Sequence, residues 1–181
     1  MCPVQYRDTG RPGQPSAFMD FEVFCRLVGQ FPSATELHLQ GLGEPLLHPR
    51  FFDMVRFAVA RGLQVSTNTN MTVMTERQAA DCVASGLHTL HVSIDGASAE
   101  VYEAIRLKPK LPKVLRNLRR LMRAKSAANA SAPDVRMVIV AMRQNLDELP
   151  ALVKLAFEEG MASVSVQQLC HDFGEQSLPS Q

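Results

Sequence analysis

Three short segments carry side chains able to do chemistry. Gly41-Leu42-Gly43-Glu44-Pro45 sets one carboxylate between a glycine and a proline, so it is presented on a turn. Thr67-Asn68-Thr69-Asn70 offers only hydroxyls and amides, and Ser93-Ile94-Asp95-Gly96 adds a hydroxyl and a second carboxylate on a turn signal. A fourth group is a thiol, Cys2-Pro3, placed before any periodic segment begins. Glycine, carboxylate, amide, hydroxyl and thiol groups on one rim describe a site for a polar, partly charged small molecule. No residue in these segments identifies itself as a substrate acid or base.

The elements that must position them alternate between helical and strand periods. Asp20 caps a helix with Phe21, Phe24, Leu27 and Val28 on one face, and Glu36 to Gln40 alternates as a strand until Gly41 breaks it. Pro49 suits the first turn of a helix that Gly62 ends. Leu63 to Thr67 is the next strand, and Thr75 with Gln78 makes a capping box for a helix that stops at Gly86. Leu87 to Ile94 is a strand, and a helical stretch follows from Ser98 to Lys125, interrupted near Pro109 and Pro112. Val135 to Ala141 reads as a strand buried on both faces. A helix opened by Asn145 and Glu148 ends at Gly160, and Ser163 to Gln168 is a last strand. Alternation of this kind implies an α/β fold of parallel strands joined by helical crossovers. In such folds function gathers on the loops at the C-terminal strand ends, where the unusual segments fall. Residues 1–170 form the expected core, with 171–181 as a poorly ordered tail.

The 181 residues include 46% hydrophobic side chains and 19 basic against 18 acidic residues, a near-balance that argues against a chain-wide nucleic-acid binder. No apolar run approaches the roughly 18 residues of a membrane span, and the N-terminus carries no apolar leader. Cys2, Cys25, Cys82 and Cys170 form no C-x-x-C pair, which excludes a self-contained zinc or redox motif and makes a reduced, cytoplasmic setting the default. Cys25 and Cys82 fall on helix patterns as small apolar groups. The five histidines are scattered, and Cys170-His171 has no third ligand nearby.

At the rim segments the sequence resembles the radical S-adenosylmethionine (radical SAM) superfamily, in the branch that carries accessory C-terminal cluster domains. The resemblance runs from Met1-Cys2-Pro3 to about Gln168. It implies a partial (β/α)6 barrel and a [4Fe–4S] cluster held by C-x3-C-x2-C thiolates, with Cys2 as the third ligand. Gly43-Glu44-Pro45 is similar to the family's Gly-Gly-Glu-Pro loop, with Leu42 for its first glycine and Gly41 supplying the freedom. The resemblance implies that Glu44 and the Gly43 backbone hold the ammonium of S-adenosylmethionine. Thr67-Asn68 looks like the Thr-Asn-Gly turn, and Ser93-Ile94-Asp95-Gly96 like the motif that reaches ribose and carboxylate oxygens, Asp95 bracing its turn. The implied activity is reductive cleavage of S-adenosylmethionine to a 5′-deoxyadenosyl radical that abstracts a hydrogen from a substrate.

The first two cluster cysteines and the first strand would lie upstream of Met1, so the chain as written is expected to carry five of six strands and to be inactive. A cluster-free protein that keeps the nucleoside pocket is the alternative expectation. The missing strand would leave Glu36 to Gln40 as an exposed edge and lower solubility. Nine Lys or Arg residues and no acid lie from Arg106 to Lys125, on a segment that also carries an apolar stripe. That segment reads as a packed amphipathic helix with a solvated basic back, or as a docking face for an acidic electron donor of ferredoxin or flavodoxin type.

Overall fold

The computed structural model describes residues 18–41, 43–106 and 108–169. The roles expected of Cys2, Leu42, Cys170 and the 171–181 tail fall outside the described residues. The Asp20 carboxylate accepts the amides of Glu22 at 2.8 Å and Val23 at 3.1 Å, and α1 follows over Phe21–Gly29. Helix α2 (Phe51–Ala60) starts two residues beyond Pro49, because His48 Nδ1 accepts the Arg50 amide at 3.0 Å and keeps Pro49 in the preceding turn. Gly62 ends α2 at φ 84°, the left-handed region that glycine enters without steric cost. The reciprocal Thr75–Gln78 box starts α3 (Glu76–Ala84). The prolines split the next stretch into α4 (Ala99–Ile105) and α5 (Leu111–Ala127), with Pro112 in the first turn of α5. A short 3-10 turn at Leu146–Glu148 leads into α6 (Leu149–Glu158).

Five strands, β1 (Glu36–His38), β2 (Gln64–Thr69), β3 (Thr89–Ser93), β4 (Asp134–Ala141) and β5 (Ser163–Gln168), form one parallel sheet in the order of the chain. Every connection is therefore a crossover to the adjacent strand, the arrangement of an opened α/β barrel. Several strand ends differ from the expectation, β3 among them, which runs from Thr89 to Ser93. At the sheet edge β1 is only three residues long, and so short an edge offers few unpaired backbone groups. β2 runs two residues past Thr67, because Asn68 and Thr69 still pair with His91 and Val92 of β3.

The helices cover one face of the sheet. Val65, Thr67, Leu90, Val92, Met137 and Ile139 lie on that face, each fully buried. Alternate residues Ser66, Asn68, His91 and Ser93 look onto the opposite, half-open face. β4 is thus not closed on both sides: Val138 is buried on the open face, but Arg136 and Val140 remain half-buried there. A sheet apolar towards its helices and polar on the other side leaves the polar side for a ligand.

Candidate functional site

Beyond the C-terminal strand ends lies a cavity of ≈ 560 Å³, within the ordinary size of a small-molecule site. Four stretches line it: Gln40, Gly43 and Glu44 after β1; Asn68 to Asn70 with Thr72 at the end of β2; Ser93 at the end of β3; and Arg106, Lys108, Pro109 and Lys110 after α4 with Lys113 in the first turn of α5.

Gly43, at φ 141°, makes the turn that a side chain would oppose, and Glu44 follows it into the 3-10 turn Pro45–Leu47. The Glu44 carboxylate fastens two strand-end loops together. Its Oε1 accepts Thr69 Oγ1 at 2.7 Å and the Leu46 amide at 3.2 Å, and its Oε2 accepts the Asn70 amide at 2.7 Å. Oε2 keeps capacity for a further donor. Burial pushes the Glu44 carboxyl above its ordinary value, against the pull of these three hydrogen bonds and the Arg106 charge.

Asn68 donates to Gln40 Oε1 at 2.9 Å, and the same oxygen meets His38 Nε2 at 2.7 Å. His38 Nδ1 reaches Ser66 Oγ at 2.9 Å, so a polar chain crosses the open face of β1 and β2. The His91 ring centroid lies 6.1 Å from that of His38, and burial, then the His38 and Arg136 charges, hold His91 below its ordinary value. Among the described residues no three His, Cys, Asp or Glu side chains converge as a metal site. Burial pushes the Cys82 thiol up to about 12, the state of an inert core group.

Asp95 is fully buried. Its Oδ1 accepts the Val140 amide at 2.8 Å, and its Oδ2 takes Arg106 Nε and Nη2, each at 2.6 Å. Asn145 Nδ2 donates to the Asp95 carbonyl at 2.9 Å, which fastens the turn to β4. Gly96 permits this closure, since a Cβ there would lie 2.4 Å from the Tyr102 nitrogen. α4 can therefore start against the turn and return Arg106 to Asp95.

Of the residues singled out in the sequence, Gly43, Glu44, Asn68 and Ser93 share the cavity. Gly41, Pro45, Thr67 and Asp95 are not among its lining. Pro45 opens the 3-10 turn, and Thr67 donates from the helix-side face to the Leu39 carbonyl at 2.7 Å, joining β2 to the end of β1. Thr69 and Asn70 belong to a segment singled out in the sequence without a role of their own, and Arg106 to the basic segment; all three line the cavity. The structure gives the first two their role, as donors to Glu44, and Arg106 its role through the pairing with Asp95. On the basic segment, Arg119 pairs with Glu159, Arg120 with Glu76 and Lys110 with Glu103. No helix of the described residues is long and apolar enough to cross a membrane.

A parallel sheet opened on one side, with a polar cavity at its strand ends, defines an α/β core of the partial-barrel class. The radical SAM superfamily profile matches residues 1–156, and the chain belongs to that superfamily. Members of the superfamily use a [4Fe–4S] cluster and S-adenosylmethionine. The chain is 25% identical over 155 residues to the tungsten-containing aldehyde ferredoxin oxidoreductase cofactor-modifying protein of Pyrococcus furiosus, covering 83% of this chain and 43% of that protein. It is 34% identical over 120 residues to mycofactocin maturase MftC of Mycolicibacterium smegmatis, covering 66% of this chain and 29% of MftC. It thus spans less than half the length of these curated relatives. The structure of native anSMEcpe with bound AdoMet superposes with a TM-score of 0.70 at 17% identity, over 87% of this chain and 45% of that one, which shows the shared fold.

Proposed function

We propose that this chain forms the S-adenosylmethionine-binding core of a radical SAM enzyme. The observation that carries the reading is the convergence of Glu44, Asn68, Ser93 and Arg106 on one cavity at the strand ends. The donor set matches the cofactor's amino-acid and ribose ends. Glu44 Oε2, with capacity left, and the Gly43 backbone suit the ammonium. Ser93 and Asn68 suit ribose and carboxylate oxygens, and Arg106 suits the carboxylate, because its contacts to Asp95 use Nε and Nη2 and leave Nη1. Thr67, Gly41 and Pro45 act one step behind, holding the loop and the strand end in place. Cys2 is the thiolate this chain offers to a cluster. When bound, the cofactor and cluster supply the one-electron chemistry that removes a substrate hydrogen atom.

An acidic one-electron donor docks on the exposed basic side of α5 around Arg116 and Arg123, for which no ion pair occurs among the described residues. The reduced interior of a cell is the setting this reading requires. Titration calorimetry with S-adenosylhomocysteine tests the cofactor site: saturable binding that S-adenosylmethionine displaces is expected. A folded chain that binds neither overturns the reading.

A further inference from the structure

The cavity's charge is unbalanced in a way that its cofactor does not correct. Five ionisable side chains line it, the Glu44 carboxylate against the cations of Arg106, Lys108, Lys110 and Lys113. Asp95 neutralises Arg106, and Glu103 pairs with Lys110. Lys108 and Lys113 form no ion pair among the described residues. S-adenosylmethionine makes the imbalance larger. Its ammonium, carboxylate and sulfonium sum to one further positive charge, so two positive charges remain once Glu44 and the Asp95–Arg106 and Glu103–Lys110 pairs are counted.

The local backbone places both lysines at the cavity against their own stability. Lys113 stands in the first turn of α5, at the positive end of a 17-residue helix that has no acid in that turn and no side-chain cap. Lys108 holds φ 81°, a left-handed conformation that costs a lysine free energy. A neutral ligand would leave both charges facing a cationic cofactor. A ligand with negative charge relieves both.

We infer that the cavity takes a second, anionic ligand beside the cofactor: a small-molecule substrate bearing carboxylate or phosphate groups, which Lys108 and Lys113 hold. This rests on the cofactor reading above, since the uncompensated charge is counted with S-adenosylmethionine in place. Carboxylate and phosphate share the chemistry that the lysines recognise, and two probes separate them.

The test titrates the full chain with tripolyphosphate and with tricarballylate, and separately with S-adenosylhomocysteine, at physiological salt. Saturable binding of at least one anion is expected, and the stronger probe names the group. The double variant Lys108→Gln/Lys113→Gln is expected to weaken that anion at least tenfold while changing S-adenosylhomocysteine affinity less than threefold. Lys113→Arg retains the charge and should retain anion binding. Absence of binding by both anions overturns the inference. So does equal binding to the wild type and the double variant, which would mark an adventitious surface contact. Failure of S-adenosylhomocysteine to bind the wild type overturns the cofactor reading instead, and is seen in its own titration.

Discussion

Asp95 and Arg106 form an ion pair whose acidic half is fully buried and whose basic half lines the cavity. The carboxylate thus acts as a positioning residue, fixed to β4 through the Val140 amide and presenting the guanidinium to the ligand. Breaking a buried pair leaves one charge without compensation, at a cost of about 3 kcal/mol or more. Asp95→Asn is therefore expected to lower unfolding free energy in urea by about that amount. It should also weaken S-adenosylmethionine binding by about tenfold, the loss of one charged contact. Unchanged affinity in a folded Asp95→Asn chain would remove Arg106 from the cofactor's partners.

Gly96 is required by its neighbour. A methyl group there would meet the Tyr102 backbone at 2.4 Å from N and 2.7 Å from Cα, and α4 would have to shift. Gly96→Ala should destabilise the chain by about 2 kcal/mol, as overpacking does. Thermal unfolding reads this directly, and because α4 delivers Arg106, cofactor affinity should fall as well.

Glu44 links pH to both stability and binding. Burial raises its folded-state pKa above the ordinary 4.5, so the native state holds the proton more tightly than the unfolded chain. The resulting stability is fully present below 4.5 and is lost as pH rises through the higher folded value. Binding runs the other way, because an ammonium needs the ionised carboxylate. Affinity for S-adenosylhomocysteine should fall on acidification with a midpoint above 4.5, and Glu44→Gln should bind weakly with that step flattened. A wild-type profile that stays flat on acidification through 4.5 would separate Glu44 from the ammonium.

Thr67 separates fastening from ligation. Its buried hydroxyl donates to the Leu39 carbonyl from the helix side of β2. Thr67→Val should lower stability by about 1 kcal/mol, one hydrogen bond, and leave cofactor affinity within twofold. A large loss of affinity with unchanged stability would make Thr67 a ligand.

The fold was legible because its punctuation is chemical. Asp20, the Thr75–Gln78 box and the left-handed Gly62, Gly86 and Gly160 sit at helix ends as read. The site was legible in part. Glu44, Asn68 and Ser93 stand out because polar groups follow apolar strands, and all three reach the cavity. Strand ends were harder. Asn68 and Thr69 look like the start of a polar loop, yet both pair with β3, and the buried Thr69 hydroxyl is satisfied by Glu44. Alternation could not reveal Arg106, since its role arises from a carboxylate eleven residues earlier that α4 brings back beside it.

In the proposed site, Glu44 receives the cofactor's ammonium at the ends of β1 and β2. A crystal structure of the full chain grown with S-adenosylmethionine tests it most directly. The ammonium is expected within hydrogen-bond distance of Glu44 Oε2, and the carboxylate on Arg106. A cofactor bound elsewhere, or one whose ammonium turns away from Glu44, would contradict it.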